Sequence, residues 1–230
     1  MPERQSPLTR LHRHSLSLVF GALFVAALLG QSVAGLHQLN ADLHAEGFPW
    51  VSWAHYVSSS DFAVDVAENW QSEYLQFLLY VVLTVWLLQR GSPESKELGR
   101  AGTESDEDQE VGTHARADSP SWARAGGWRL AVYSNSLGAV MALVFLGSWT
   151  VQAVAGWVVL SEERLRRLQD PVSFGDYLTG ADFWSRSLQN WQSEFLAVGS
   201  MAVFAIYLRQ RGSPESKPVG EPHRSTGIEG

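Results

Sequence analysis

Residues 16–36 and 137–160 form two apolar runs without a single charged side chain. Helices over these runs would rise about 31 and 36 Å, enough to cross the hydrocarbon core of a bilayer. A soluble fold would need a core large enough to hide both runs on every side. These segments therefore point to a membrane protein, and they limit the choice to helices that satisfy their own backbone groups.

The chain also repeats itself. Asn69-Trp-Gln-Ser-Glu73 recurs at 190–194, and Gln89-Arg-Gly-Ser-Pro-Glu-Ser-Lys96 recurs at 210–217. Both blocks are offset by 121 positions (190 − 69 and 210 − 89). One offset for two separated blocks implies a tandem duplication without a net gap.

Each copy holds a second, shorter apolar run, at 74–88 and 195–208. Started at Trp70 and Trp191, these runs rise about 27–28 Å and also span a bilayer. The expected fold class is thus an all-α membrane protein. Four transmembrane helices, at about 16–36, 70–88, 137–160 and 191–208, form two tandem, like-oriented helical hairpins.

The N-terminal run, with Arg4, Arg10 and Arg13 ahead of it and Ser32-Val-Ala-Gly35 near its end, has the form of a secretory signal. Gln31-Ser-Val-Ala-Gly35 matches Gln152-Ala-Val-Ala-Gly156 deep inside the chain, so a retained helix is expected. Small residues here and in the copy suit close helix approach.

Lys and Arg mark the cytoplasmic side of a membrane protein. The first 15 residues, the linker and the tail hold 13 of the 17 basic residues (3 + 6 + 4). The loop 37–69 has none. Both termini and the linker are therefore expected in the cytoplasm, and loops 37–69 and 161–190 outside. The expected domains are an arm at 1–10, repeat 1 at 11–96 and repeat 2 at 132–217. An acidic linker (97–131) and a tail (218–230) bury too little apolar surface to order themselves. The aromatic-polar pattern of the outer loops suits short amphipathic outer-face helices, with a ligand-binding lid as the sharper alternative.

The candidate site is an intramembrane polar cluster of Gln31, Glu73, Gln152 and Glu194, which the duplication places at matching depth. Ionisable residues inside a membrane mark functional positions by default. The competing reading is a hydrogen-bonded clamp that sets hairpin register. Trp70 and Trp191 are expected as interface anchors. The repeated octapeptides end their helices with Gly and Pro. They also offer a docking surface through Arg90, Ser92, Glu94 and Lys96, and through Arg211, Ser213, Glu215 and Lys217.

Absence of cysteine removes disulfides, thiolate catalysis and Cys-ligated zinc. His37, His44 and His55 become Val158, Leu165 and Asp176 at the offset, so no duplicated metal site exists. No phosphate loop, catalytic triad spacing or zinc-protease motif is present. Neither catalysis nor a cofactor is expected. The net charge of −7 gives no reason to expect nucleic acid. The expected partners are the lipid bilayer and either a second copy or an unidentified membrane protein.

The blocks quoted above, with their copies, resemble an uncharacterised bacterial integral membrane protein family, mostly actinobacterial, defined as a domain of unknown function. The resemblance covers nearly the whole chain. It implies an inner-membrane location and no established activity, so it transfers no functional residues. Glu46-Gly-Phe-Pro-Trp50 departs from the family's usual Gly-x-Pro-Pro in the outer loop. A non-catalytic scaffold, with an envelope or stress-related role, is the function these features favour. A small oligomeric channel or transporter using the Gln/Glu cluster is the alternative.

Overall fold

The computed structural model describes residues 12–228 and, within them, is all-helical with no strand. The chain divides between Ala63 and Val64 into two compact units.

The first unit holds α1 (Ser15–Ala45), α2 (Trp53–Val57) and the start of α3 (Ser60–Leu83). α1 continues nine residues beyond the apolar run, and Gly47 stops it. Gly47 adopts φ +81°, and the Phe48 and Gly47 amides return to the Leu43 and His44 carbonyls at 2.8 and 3.1 Å. Two helix-end carbonyls are thereby satisfied, and the left-handed residue between them is one that needs no Cβ. Asn40 then pins the loop, donating to the Val51 carbonyl (3.1 Å) and accepting from the Val51 amide (2.8 Å). Ser52 caps α2 by accepting from His55 N. The Tyr56 ring packs so closely on Gly35 that a Cβ there would lie 2.8 Å from Tyr56 Cζ.

The second unit holds the rest of α3, then α4 (Ser121–Arg124), α5 (Trp128–Ser134), α6 (Ser136–Arg166), α7 (Phe174–Thr179) and α8 (Ala181–Tyr207). α6, α7 and α8 begin 121 residues after α1, α2 and α3 (136 − 15, 174 − 53, 181 − 60). Details recur at the same offset. Gln169 N reaches the Arg164 carbonyl at 2.9 Å, as Phe48 reaches Leu43. Here, however, the left-handed position is Leu168, at φ +58°. Ser173 caps α7 by accepting from Asp176 N. The Val172 carbonyl, at the place of Val51, is held by Trp157 Nε1 at 2.7 Å instead of by an asparagine. Tyr177 stands against Gly156 as Tyr56 stands against Gly35.

α3 and α8 begin about ten residues ahead of the apolar runs expected to span the bilayer, at Ser60 and Ala181. Their first turns mix Asp61 and Asp182 with aromatic side chains and belong to the outer loops as read from the sequence. α3 also ends earlier than expected, at Leu83, and residues 84–88 continue as turns. Of the long helices, α1 and α6 are long and apolar enough to cross a membrane. Few residues of their apolar stretches are buried: 6% in α1 and 17% in α6.

The segment read as a disordered linker carries α4, most of α5 and a 3₁₀ turn at Gly112–His114. The segment read as a free tail lies against the first octapeptide, with the Gly91 amide donating to Thr226 Oγ1 (2.8 Å).

Candidate functional site

In the second unit a polar layer joins α3, α6 and α8. Its α3 face is set by helical periodicity: Val64, Ala67, Gln71 and Leu75 are buried at spacings of three and four, with Ser72 beside them. Gln71 is 0% exposed and Ser72 2%. On α8 the inward row is Phe183, Ser187, Trp191 and Glu194, at the same kind of spacing.

These rows meet through side chains of the two repeated pentapeptides. Trp191 Nε1 donates to Gln71 Oε1 at 2.6 Å, and Ser72 Oγ donates to Glu194 Oε1 at 3.4 Å. From α6, Trp149 Nε1 donates to Ser187 Oγ at 3.2 Å, and Gln152 Nε2 donates to the same oxygen at 3.5 Å. Gln152 and Ser187 are both 0% exposed. Trp149 stacks on Phe145 and Phe183, and Trp191 packs against it with ring centroids 5.6 Å apart.

Beyond this layer, toward the loop that precedes α8, Arg186 bridges the helices. It donates to Glu68 (2.9 Å) on α3 and to Asp182 (3.1 Å) on its own helix. Tyr177 lies nearby, 1% exposed, with a hydroxyl that makes no hydrogen bond. Burial, reinforced by the charge of Asp182, pushes its pKa up to about 12.

The expected polar cluster is brought together only in part. Gln152 and Glu194 join the layer, through Ser187 and Ser72. Glu73 is exposed, because two residues of helix turn it about 200° away from Gln71. Gln31 belongs to the first unit, where it is half-buried. Of the expected interface anchors, Trp70 is 41% exposed, whereas Trp191 sits inside the aromatic cluster as a hydrogen-bond donor. Sequence reasoning missed Gln71, Ser187, Trp149 and the Glu68–Arg186–Asp182 bridge. Gln71 was within reach, since it lies inside the repeated block and in register with Val64, Ala67 and Leu75.

The side chains of this layer reach neighbouring helices, with Ser72 Oγ shared between Glu194 and the Asn69 carbonyl of its own helix (3.1 Å). Within this layer the donor Gln71 Nε2 and the acceptor Gln152 Oε1 form no hydrogen bond with any described residue. No three His, Asp or Glu side chains among the described residues converge as a metal site would require.

The repeated octapeptides fold into one and the same turn. Gln89 N donates to Ser95 Oγ and Gln210 N to Ser216 Oγ, both at 2.9 Å. Each serine hydroxyl in turn donates to the next lysine's carbonyl at 3.1 Å. Gly91 and Gly212 take φ +89° and +80°. Ser92 and Lys217, two of the residues expected on a docking face, are buried at 4% and 1% exposure. Lys217 Nζ lies among four carbonyl oxygens, of Gly91, Pro222, His223 and Ser225, at 2.7–3.3 Å. Burial pushes the pKa of its ammonium group down. Lys96 pairs with Glu104 at 3.2 Å, and Glu94 accepts a hydrogen bond from Tyr80. Arg90, Arg211 and Glu215 are exposed, and Ser213 is half-buried.

The family model of a domain of unknown function, DUF6766, matches residues 8–228. No curated protein and no solved structure matches the chain.

Proposed function

We propose that this chain, which belongs to the DUF6766 family, is a non-catalytic scaffold of the bacterial inner membrane. In this reading it arose by duplication of a two-helix hairpin. Its four long helices span the bilayer, its termini and linker lie in the cytoplasm, and α2 and α7 rest on the outer face. The exposed apolar surfaces of α1 and α6 support the membrane assignment, because an aqueous fold would have to cover them.

One observation carries the scaffold reading: the buried polar side chains are spent on cross-helix hydrogen bonds. Gln71, Trp191, Ser187, Gln152, Ser72 and Glu194 clamp three helices in a single register. A buried polar residue without its partner is costly, so such a clamp favours one arrangement over its slipped alternatives.

A small channel or transporter is the second reading. It is favoured by Gln71 Nε2 and Gln152 Oε1, a buried donor and a buried acceptor that this layer leaves over. Reconstitution separates the two. The scaffold reading predicts liposomes with no proton or cation flux above protein-free vesicles, and a lower melting temperature for Gln71→Leu and Gln152→Leu. A flux that Glu194→Gln abolishes without loss of thermal stability would reverse the assignment.

A further inference from the structure

The two octapeptide turns share sequence, a left-handed glycine and the serine-to-backbone hydrogen bonds of Ser95 and Ser216, yet the tail covers only one. Gly91, Ser92 and Pro93 are buried. The chain's own tail covers them, with Ile206 of α8 also against Gly91. The Gly91 amide donates to Thr226 Oγ1 (2.8 Å), the Gly227 amide donates to the Ser92 carbonyl (3.1 Å), and Lys217 Nζ donates to the Gly91 carbonyl (2.7 Å). The tail passes so close that a Cβ on Gly91 would stand 2.5 Å from the His223 carbonyl oxygen. Two backbone groups, the Gly91 amide and the Ser92 carbonyl, thus make a seat for the Ser-Thr-Gly segment, with Lys217 holding the Gly91 carbonyl beside it.

The second turn keeps the left-handed glycine, and although its Ser213 carbonyl also accepts from the Ser216 amide (3.3 Å), no tail residue among the described ones sits on it. Gly212 and Pro214 are exposed, and a Cβ on Gly212 would meet no atom within 4 Å. A cavity of about 350 Å³ lies alongside, lined by Gln210, Gly212, Ser213, Ser216, Lys217 and Val219. We propose that the Gly212–Ser213 turn is a second seat for the Ser225-Thr226-Gly227 segment, taken by the C-terminal tail of a second copy of this chain.

Each chain carries two seats and one tail. A tail that reaches across leaves its own Gly91 seat, so association competes with the contact inside the chain. Residues 218–228 extended cover about 36 Å, enough to reach a neighbouring copy. The proposal deepens the scaffold reading by naming its partner, and it requires only that the octapeptides of two copies share one aqueous face.

The test is binding of a fluorescent peptide of residues 218–228 to the full chain in detergent, followed by anisotropy. One saturable site per chain is expected. Gly212→Asn keeps the left-handed conformation accessible while adding a Cβ and side chain, and should weaken binding by about tenfold or more. A Thr226→Val peptide, which leaves the protein untouched, should bind several-fold more weakly because the Gly212 amide loses its acceptor. Gly91→Asn, which displaces the chain's own tail, should increase self-association in sedimentation. Absence of saturable binding to the wild-type chain would overturn the proposal. So would binding indifferent to Gly212→Asn, or binding lost only with Gly91→Asn. None of these readouts depends on membrane topology, so failure here and failure of the scaffold's topology remain distinguishable.

Discussion

Adding one methyl group to Gly156 is expected to destabilise the protein, while the same change at Gly147 on the same helix stabilises it. At Gly156 the new Cβ would overlap the Tyr177 hydroxyl oxygen and stand 3.1 Å from Tyr177 Cζ and 3.4 Å from Val64 Cγ2. Tyr177 has no room to retreat: it is 1% exposed and packed edge-to-face on Phe183 at 5.6 Å. Overpacking of this kind costs about 1–3 kcal/mol, against about 1 kcal/mol regained from alanine's better helix propensity. The net loss of up to about 2 kcal/mol corresponds to a melting temperature lower by up to roughly 8 °C for a chain of this size. Gly147 meets nothing within 4 Å, so Gly147→Ala keeps only the propensity gain. Thermal unfolding in detergent, followed by tryptophan fluorescence, reads both. Tyr177→Phe removes the overlapping oxygen, so Gly156→Ala in that background should recover more than half of the loss. Equal shifts for Gly147→Ala and Gly156→Ala, or no rescue by Tyr177→Phe, would refute the packing argument.

Leu168→Gly should raise stability by about 1 kcal/mol in the same assay, because Leu168 holds φ +58° and is 96% exposed, so little packing is lost. Trp191→Phe should cost about 1–3 kcal/mol by stranding the buried Gln71 Oε1, and a Gln71→Leu background should shrink that cost. Alkaline unfolding should steepen between pH 10 and about 12. Tyr177 stays neutral there when folded and ionises when unfolded, so stability present below pH 10 is lost as pH rises through the folded value. Denaturation curves across that range should flatten in Tyr177→Phe.

The helices were legible wherever hydropathy or a turn residue marked them. The uncharged runs located α1 and α6, and the 121-residue offset of the repeated blocks equals that of the helix starts. Where α3 and α8 begin was obscured, because their first ten residues mix charged with apolar side chains and form no continuous apolar run. The site was half-legible for a related reason. Identical pentapeptides invited identical roles, but these two helices turn different sides of the block inward. α3 buries Gln71 and Ser72, whereas α8 turns Trp191 and Glu194 inward and leaves Gln192 and Ser193 exposed. Repeated sequence conveys which residues are shared, and packing then assigns them different partners. The tail was missed because its anchor is not apolar burial but Lys217, held by backbone carbonyls that composition does not reveal.

The central claim is that four helices cross the bilayer as two hairpins of the same orientation. The chain has no cysteine, so single substitutions report cleanly. His55→Cys, Glu110→Cys and Thr179→Cys all lie at exposed positions. Labelling intact cells with a membrane-impermeant maleimide should modify positions 55 and 179, and position 110 only after permeabilisation. If α1 and α6 alone cross, positions 55 and 110 will share one side and 179 will lie on the other, and that pattern would contradict the account.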